Sequence, residues 1–215
     1  MTNDPTVLVV AKAPEPGLVK TRVAATVGDD AAAQLAAAAL LDTLETVAAL
    51  GWPVVVALTG ELGDAVRTDE ITRALSGVRV VSQRGDGLGA RLAHAHADAD
   101  GGHGVVQVGM DTPQLTVRDY LDAGAEVRRG SRVIGPAVDG GWWLLGLPDP
   151  GEAAVLADVE MSVDDTAEHT ERALGDVERL RTVRDMDTWA DALDIADGIP
   201  LSRVAAVVQS LRVNS

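Results

Sequence analysis

Cysteine is missing from this 215-residue chain, and with it go a disulfide framework, a thiolate zinc site and a cysteine nucleophile. The redox compartment is left open by that absence. Aromatic side chains are nearly missing too, at four Trp, one Tyr and no Phe, so two adjacent tryptophans at 142 and 143 stand out. Positive charge is scarce: 18 Lys plus Arg face 33 Asp plus Glu, giving a formal net charge of −15. Such a field repels polyanions, which argues against nucleic acid and anionic membranes as partners and obliges any anionic ligand to find a locally basic pocket. A high-salt habitat or simple solubility would give the same acidity. The chain runs through Asn3, Asp4 and Pro5 into a short apolar run at residues 7–11 before Lys12, which is neither a basic leader nor a membrane-length stretch. A cytoplasmic protein is expected.

What is present fits an ordinary folded domain. The apolar share of 47% and charged share of 24% are globular averages, and a chain of this length buries roughly 70% of its unfolded surface. Residues 7–11 suggest a strand, followed by Pro14, Pro16 and Gly17 and then an Ala/Leu-rich helix over residues 31–50. Strands at 54–58, 78–82 and 105–109 alternate with helices at 61–75, 88–99 and 116–129. Four βα units in succession make a parallel sheet covered on both faces. Residues 132–137 and 142–147 are strands separated only by Val138, Asp139, Gly140 and Gly141, a hairpin spacing that makes the sheet mixed. Helical stretches follow near 152–158 and 164–174, the second with Ser162 and Asp165 placed as a capping box. A strand near 177–183, a helix from Thr188 and a last helix over 202–213 complete a single α/β domain spanning residues 1–215.

The connection at 12–29 is long where βα loops usually take about 2 to 6 residues. It leaves the carboxyl end of the first strand, where open α/β sheets bind ligands, and it carries Lys12, Lys20 and Arg22. Three cations there suit a polyphosphate. Sixteen of the eighteen basic residues are Arg and only Lys12 and Lys20 are Lys, which points to positions that require a compact ammonium. The segment is not a P-loop, because Val19 rather than Gly precedes Lys20. Asp111 directly follows the fourth strand and can hold magnesium or cap the next helix. Asp185 and Asp187 follow the last strand; one of them can share that metal, or Asp187 or Thr188 can cap the helix beyond. Asp139, with Gly140 and Gly141, either turns a hairpin or projects into a pocket walled by Trp142 and Trp143.

Residues 85–90, Gly-Asp-Gly-Leu-Gly-Ala, formally match a dinucleotide fingerprint. They lie in the third βα unit rather than the first and leave the lysine loop unexplained, so NAD binding ranks second. His94 and His96 are two apart, which points them away from each other on a helix; both are expected at the surface.

Residues 11–22, 83–91, 109–113, 135–147 and 185–188 together resemble a bacterial glycosyltransferase-like family, domain of unknown function 2064. That family is similar to deazaflavin-cofactor guanylyltransferase and molybdenum-cofactor nucleotidyltransferases. The resemblance implies a nucleotide-diphospho-sugar transferase (GT-A) fold, three-layer α/β/α, with a mixed, mainly parallel sheet of about seven strands. It implies that Lys12, Lys20 and Arg22 meet the phosphates, that the loop of Gly87, Leu88 and Gly89 lies near the base or ribose, and that Asp111 ligates the metal, Mg²⁺ or Mn²⁺. Ala11 and Gln83 join the expected nucleotide-binding residues, and Asp187 is taken as the second metal ligand from its place after the last strand. Where relatives carry Trp-Ser-Thr this chain has Met161, Ser162 and Val163. The expected activity is nucleotidyl transfer from a nucleoside triphosphate to a small acceptor, Lys12, Lys20 and Arg22 stabilising the leaving pyrophosphate. The alternatives are glycosyl transfer from a nucleotide sugar with Asp139 as base, or nucleotide binding without turnover; a homodimer is left open.

Overall fold

The computed structural model describes residues 3–213. β1 (Thr6–Lys12) enters the core at once, with Val7, Leu8 and Val9 fully buried. The next connection is shorter than its sequence suggests, because Thr21–Val27 form a helix, α1, separated from α2 (Asp29–Ala48) only by Gly28 at φ 86°. Left-handed backbone at a single residue lets one helix turn directly into the next. β2 (Val54–Thr59) follows. The helix expected over 61–75 is broken into a 3-10 turn at Leu62–Asp64 and α3 (Thr68–Ala74), with Arg67 in left-handed backbone, φ 54°, at the junction. β3 (Arg79–Ser82), α4 (Gly87–Ala99), β4 (Val105–Val108) and α5 (Val117–Arg128) complete the alternation.

β5 (Val133–Pro136) and β6 (Trp142–Leu147) form the expected hairpin, with a bulge between Gly135 and Pro136. A connection that short cannot carry the crossover a parallel pair requires, so β6 runs antiparallel to both β5 and β4. A 3-10 segment, Pro150–Asp158, leads to α6 (Thr166–Leu174). The capping box expected from Ser162 and Asp165 does not form: Ser162 sits at φ 65°, and the Thr166 hydroxyl bridges the amide and carbonyl of Val163 instead. The last strand is reduced to β7 (Glu178–Arg179) plus a bridge between Ala137 and Val183. α7 (Trp189–Gly198) and α8 (Arg203–Val213) close the chain.

The seven strands lie in the order β3-β2-β1-β4-β6-β5-β7. The chain moves outward from β1 to β2 and β3, then returns to place β4 on the other side of β1, with Val9 opposite Val56 on one side and Val108 on the other. That reversal leaves a crevice at the carboxyl ends of β1 and β4, the place where doubly wound sheets hold ligands. One face of the sheet packs on α2 through Ala33, Ala36, Ala37, Leu40 and Leu44, and on α5 through Tyr120, Ala123 and Val127. The other face packs on α4 and the Pro150–Asp158 segment through Leu92, Leu145, Leu147 and Leu156. Burial of each such Leu contributes about 1.5–3 kcal/mol. α2 meets the length and composition of a bilayer-crossing helix, yet 72% of its apolar window is buried inside the molecule. Its outer face takes α7 and α8, and its buried Asp42 accepts the amides of Arg203 and Val204, each at 3.1 Å, capping α8 from a neighbouring helix.

Candidate functional site

The crevice holds a cavity of about 610 Å³. Its walls include the end of β1 (Val10, Ala11, Lys12), one face of α4 (Leu88, Arg91, Leu92), the turn after β4 (Gly109–Thr112), the hairpin turn around Asp139, the loop 161–166 and the segment 185–187. Met186 ties two of these to the loop that carries Lys20. It is fully buried, its amide donates to the Asp111 carbonyl at 2.8 Å, and its carbonyl accepts from the Lys20 ammonium. A buried Met between two acids turns Asp185 and Asp187 toward the cavity, which both line. Helix capping accounts for neither Asp111 nor Asp187: Thr116 with Asp119 caps α5, and Thr188 with Asp191 caps α7.

Each of the three loop cations has a protein partner. Lys20 lies in left-handed backbone, φ 49° and ψ 44°, a conformation that a residue with a Cβ adopts at a cost of roughly 1–2 kcal/mol. This aims its side chain inward, where Nζ stands 2.7 Å from Asp111 Oδ1. Lys20 lies behind the cavity wall rather than on it: its side chain is 7% exposed, against 48% for Asp111. Arg22 lines the cavity and pairs with Asp187. Lys12 lines it as well, its Nζ folded back 2.7 Å from the Leu18 carbonyl. Arg91 is a further cavity cation that the sequence reading missed. The signal was available, because Leu88, Arg91 and Leu92 share one face of α4 at helical spacing and all three line the cavity.

Asp139, Asp185 and Asp187 act on one another. Burial, then the neighbouring Asp139 carboxylate, raises the Asp185 carboxyl above the ordinary carboxylate value; Asp187 adds to this and Lys20 opposes it. Crowded acids of this kind suit a divalent cation, which relieves their repulsion. Among the described residues no three His, Asp or Glu side chains form a preformed metal cage. Magnesium does not require one, since it takes one or two carboxylates and completes its octahedron with water and phosphate oxygens. Asp111 and Asp187 fit that donor set. Asp139 is held by an Oδ1 bond from the Gly141 amide at 2.9 Å. At Gly140, φ 88°, an added Cβ would fall 1.6 Å from the Asp164 carbonyl, so the turn packs backbone to backbone against the 161–166 loop.

At the α4 end, Gln83 donates through Nε2 to the carbonyls of Ala11 and Ala57, both at 2.9 Å. Both amide hydrogens are thereby used, and Gln83 lines the cavity with Oε1 as its remaining polar end. Leu88 also lines the cavity, whereas Gly87 and Gly89 do not. Gly89 has a packing role: a Cβ there would come within 1.9 Å of the Leu156 carbonyl, so glycine lets α4 lie against the Pro150–Asp158 segment. His94 is exposed as expected, but His96 is fully buried and engages Gln107. α4 is sandwiched between the sheet and the Pro150–Asp158 segment, so a position that helical spacing alone places outward is covered.

Comparison with known proteins agrees with this architecture. The structure of a candidate nucleotide-diphospho-sugar transferase from Desulfovibrio desulfuricans G20 is similar to this chain with a TM-score of 0.84 and 28% identity, over 99% of this chain and 96% of that one. The 4-diphosphocytidyl-2C-methyl-D-erythritol synthase of Anaerococcus prevotii superposes with a TM-score of 0.61 at 12% identity, over 93% of this chain and 100% of that one. The manganese complex of Rv0371c from Mycobacterium tuberculosis gives 0.55 at 19% identity, over 89% and 97%. No curated protein matches by sequence. The fold is that of the nucleotide-diphospho-sugar transferases, a mixed seven-stranded sheet between helical layers. The family model described as "Uncharacterized protein conserved in bacteria (DUF2064)" matches residues 40–163, and the chain belongs to that family.

Proposed function

We propose that the cavity binds a nucleoside triphosphate with a divalent metal and transfers the nucleotidyl group to a small acceptor. One observation carries this reading: Lys12, Arg22, Asp111 and Asp187 come together on a single cavity at the β1/β4 reversal. Cations and oxygen ligands on the same wall suit a metal-bound polyphosphate and little else of comparable size. The manganese bound by Rv0371c and the diphosphocytidyl product in the name of the synthase support the same class.

In this mechanism an acceptor oxygen attacks the α-phosphorus; the new P–O bond forms as the α–β bridging P–O bond breaks, and pyrophosphate leaves with that electron pair. Lys12 and Arg22 neutralise the leaving pyrophosphate, with Arg91 completing the cationic wall. Lys20 acts from behind, fixing Asp111 and the Met186 backbone so that Asp111 and Asp187 keep their positions. A divalent metal on Asp111 and Asp187 would supply Lewis-acid neutralisation of phosphate oxygens. A phosphate acceptor arrives already ionised and needs no base; a hydroxyl acceptor would pass its proton to Asp139.

A second reading, glycosyl transfer from a nucleotide sugar, draws on the name of the Desulfovibrio relative. Incubating the protein with magnesium, a metabolite extract and each nucleoside triphosphate or nucleotide sugar separates the two. Pyrophosphate release from a triphosphate is expected. Nucleoside diphosphate release from a nucleotide sugar alone would replace it with the glycosyl reading, and tight nucleotide or NAD binding without product would replace both with a binding protein.

A further inference from the structure

Gln107 is the one polar residue of β4, Val-Val-Gln-Val, in the middle strand of the sheet. It stands in register between Leu8 of β1 and Leu145 of β6, and it is 3% exposed. An amide in that position is costly unless its hydrogen bonds are made. Its Oε1 lies 2.8 Å from Nε2 of His96, which is fully buried. Nδ1 of His96 has no partner among the described residues. Were Nδ1 protonated, the orphan would be a buried N–H donor, the rarer and costlier kind. The proton therefore sits on Nε2 and is donated to Gln107 Oε1, which fixes which way round the Gln107 amide lies. Its NH₂ end is left without a partner among the described residues, and Gln107 lines the cavity.

The surroundings of that donor are apolar. Val10, Leu88, Leu92 and Trp142 line the same cavity and pack into one cluster with Leu145. Lys12, Arg22 and the carboxylates of Asp111, Asp139, Asp185 and Asp187 come from other elements, the end of β1, α1, the turn after β4, the hairpin turn and the segment after β7; Arg91, on the α4 face of Leu88 and Leu92, is the charged exception. A ligand spanning the cavity therefore places phosphates and metal at one end and an uncharged, flat moiety at the other.

We propose that Gln107 is a specificity-determining residue that donates a hydrogen bond to a neutral oxygen or ring nitrogen of the bound nucleoside, with His96 as the positioning residue that holds the amide in register. This rests on the triphosphate reading above. The nucleoside is thus recognised by a buried donor of fixed polarity, complementary to the acceptor end of Gln83, which lines the same cavity. Phosphate recognition is independent of it.

The experiment is calorimetric titration of the wild-type, Gln107→Leu and Gln107→Glu proteins with ATP, GTP, CTP and UTP, and with inorganic tripolyphosphate, all with magnesium. Gln107→Glu keeps the size of the side chain and its bond to His96 but removes the NH₂ donor, and an unfolding midpoint accompanies each protein. Both variants should lose about tenfold or more in affinity for the triphosphate that the wild type binds best, with tripolyphosphate affinity changed less than about twofold. Unchanged triphosphate affinity in either folded variant overturns the proposal while leaving the triphosphate reading standing. Equal loss for triphosphate and tripolyphosphate overturns it as well, because that is the signature of a structural role. A wild type that binds tripolyphosphate but no nucleoside triphosphate more tightly removes the triphosphate reading and this inference with it.

Discussion

Lys20 and Asp111 form an ion pair at 2.7 Å in which the lysine is nearly buried and the acid half exposed. The asymmetry assigns the roles. An ammonium with so little access to the cavity cannot be the first group a phosphate meets, whereas the carboxylate it holds can turn one oxygen outward to a metal. The same ammonium also bonds the Met186 carbonyl, so a single lysine couples the β1 loop to both acid-bearing segments.

Lys20→Ala should therefore lower the rate of pyrophosphate release by about 10²-fold or more, and a rate within about twofold of wild type would remove Lys20 from the mechanism. Lys20→Arg should not restore it, because the enclosed position fits a compact ammonium and not a planar fork. Lys20→Gly should be equally inactive, yet more resistant to urea than Lys20→Ala by about 1 kcal/mol, since glycine relieves the left-handed backbone.

Arg22 differs in being exposed, its side chain 74% accessible beside Asp187. Exposed pairs add little to stability, so Arg22→Ala should leave the thermal midpoint where it is while raising the KM for the triphosphate. A fall in the midpoint comparable to that of a core substitution would mean that the pair is structural.

The alternation of strands and helices was legible in the sequence because four βα units each carry a short apolar run, buried in β1, β2 and β4 and largely exposed in the edge strand β3, and the hairpin because only four residues separate 137 from 142. Lys12, Arg22, Asp111, Asp139 and Asp187 reach one cavity as their places at strand ends imply. Lys20 does so only indirectly, because its inward course depends on a backbone conformation that lysine does not advertise. Gln107 and His96 were not legible as a pair: their meeting depends on how α4 lies across β4, a tertiary relation that neither local pattern contains. The first loop is shorter than its sequence suggests because α1, Thr-Arg-Val-Ala-Ala-Thr-Val, is a single short helix whose apolar stripe of Val23 and Val27 is too brief to set a helical period.

The glycines of residues 85–90 separate packing from ligand approach. Gly89→Ala places a Cβ against the Leu156 backbone and should destabilise the protein by about 1–3 kcal/mol through overpacking. Gly87, φ 83°, has nothing within 4 Å of the Cβ position, so Gly87→Ala should cost about 1–2 kcal/mol from backbone strain alone. If Gly89→Ala proved as stable as wild type and lost only nucleotide affinity, the glycine would belong to the binding site instead.

His96 gives stability a pH dependence whose sign follows from its burial. Burial lowers its pKa from 6.5 to about 4, with the Gln107 bond opposing the shift. Between those two values the unfolded chain binds a proton that the folded protein refuses, so stability falls as the medium is acidified. The contribution is complete above about pH 6.5, declines by about 1.4 kcal/mol per pH unit toward pH 4, and is level below that. Carboxylates such as Asp98 and Asp191, held below their ordinary values in the fold, also lose stabilisation on acidification, but at the lower end of the range. Urea unfolding of wild type and His96→Asn at pH 7 and pH 5 isolates the histidine: wild type should lose about 2 kcal/mol more than the variant over that interval. Equal losses would mean that His96 accepts a proton in the folded state, and the fixed polarity of the Gln107 amide would fall with it.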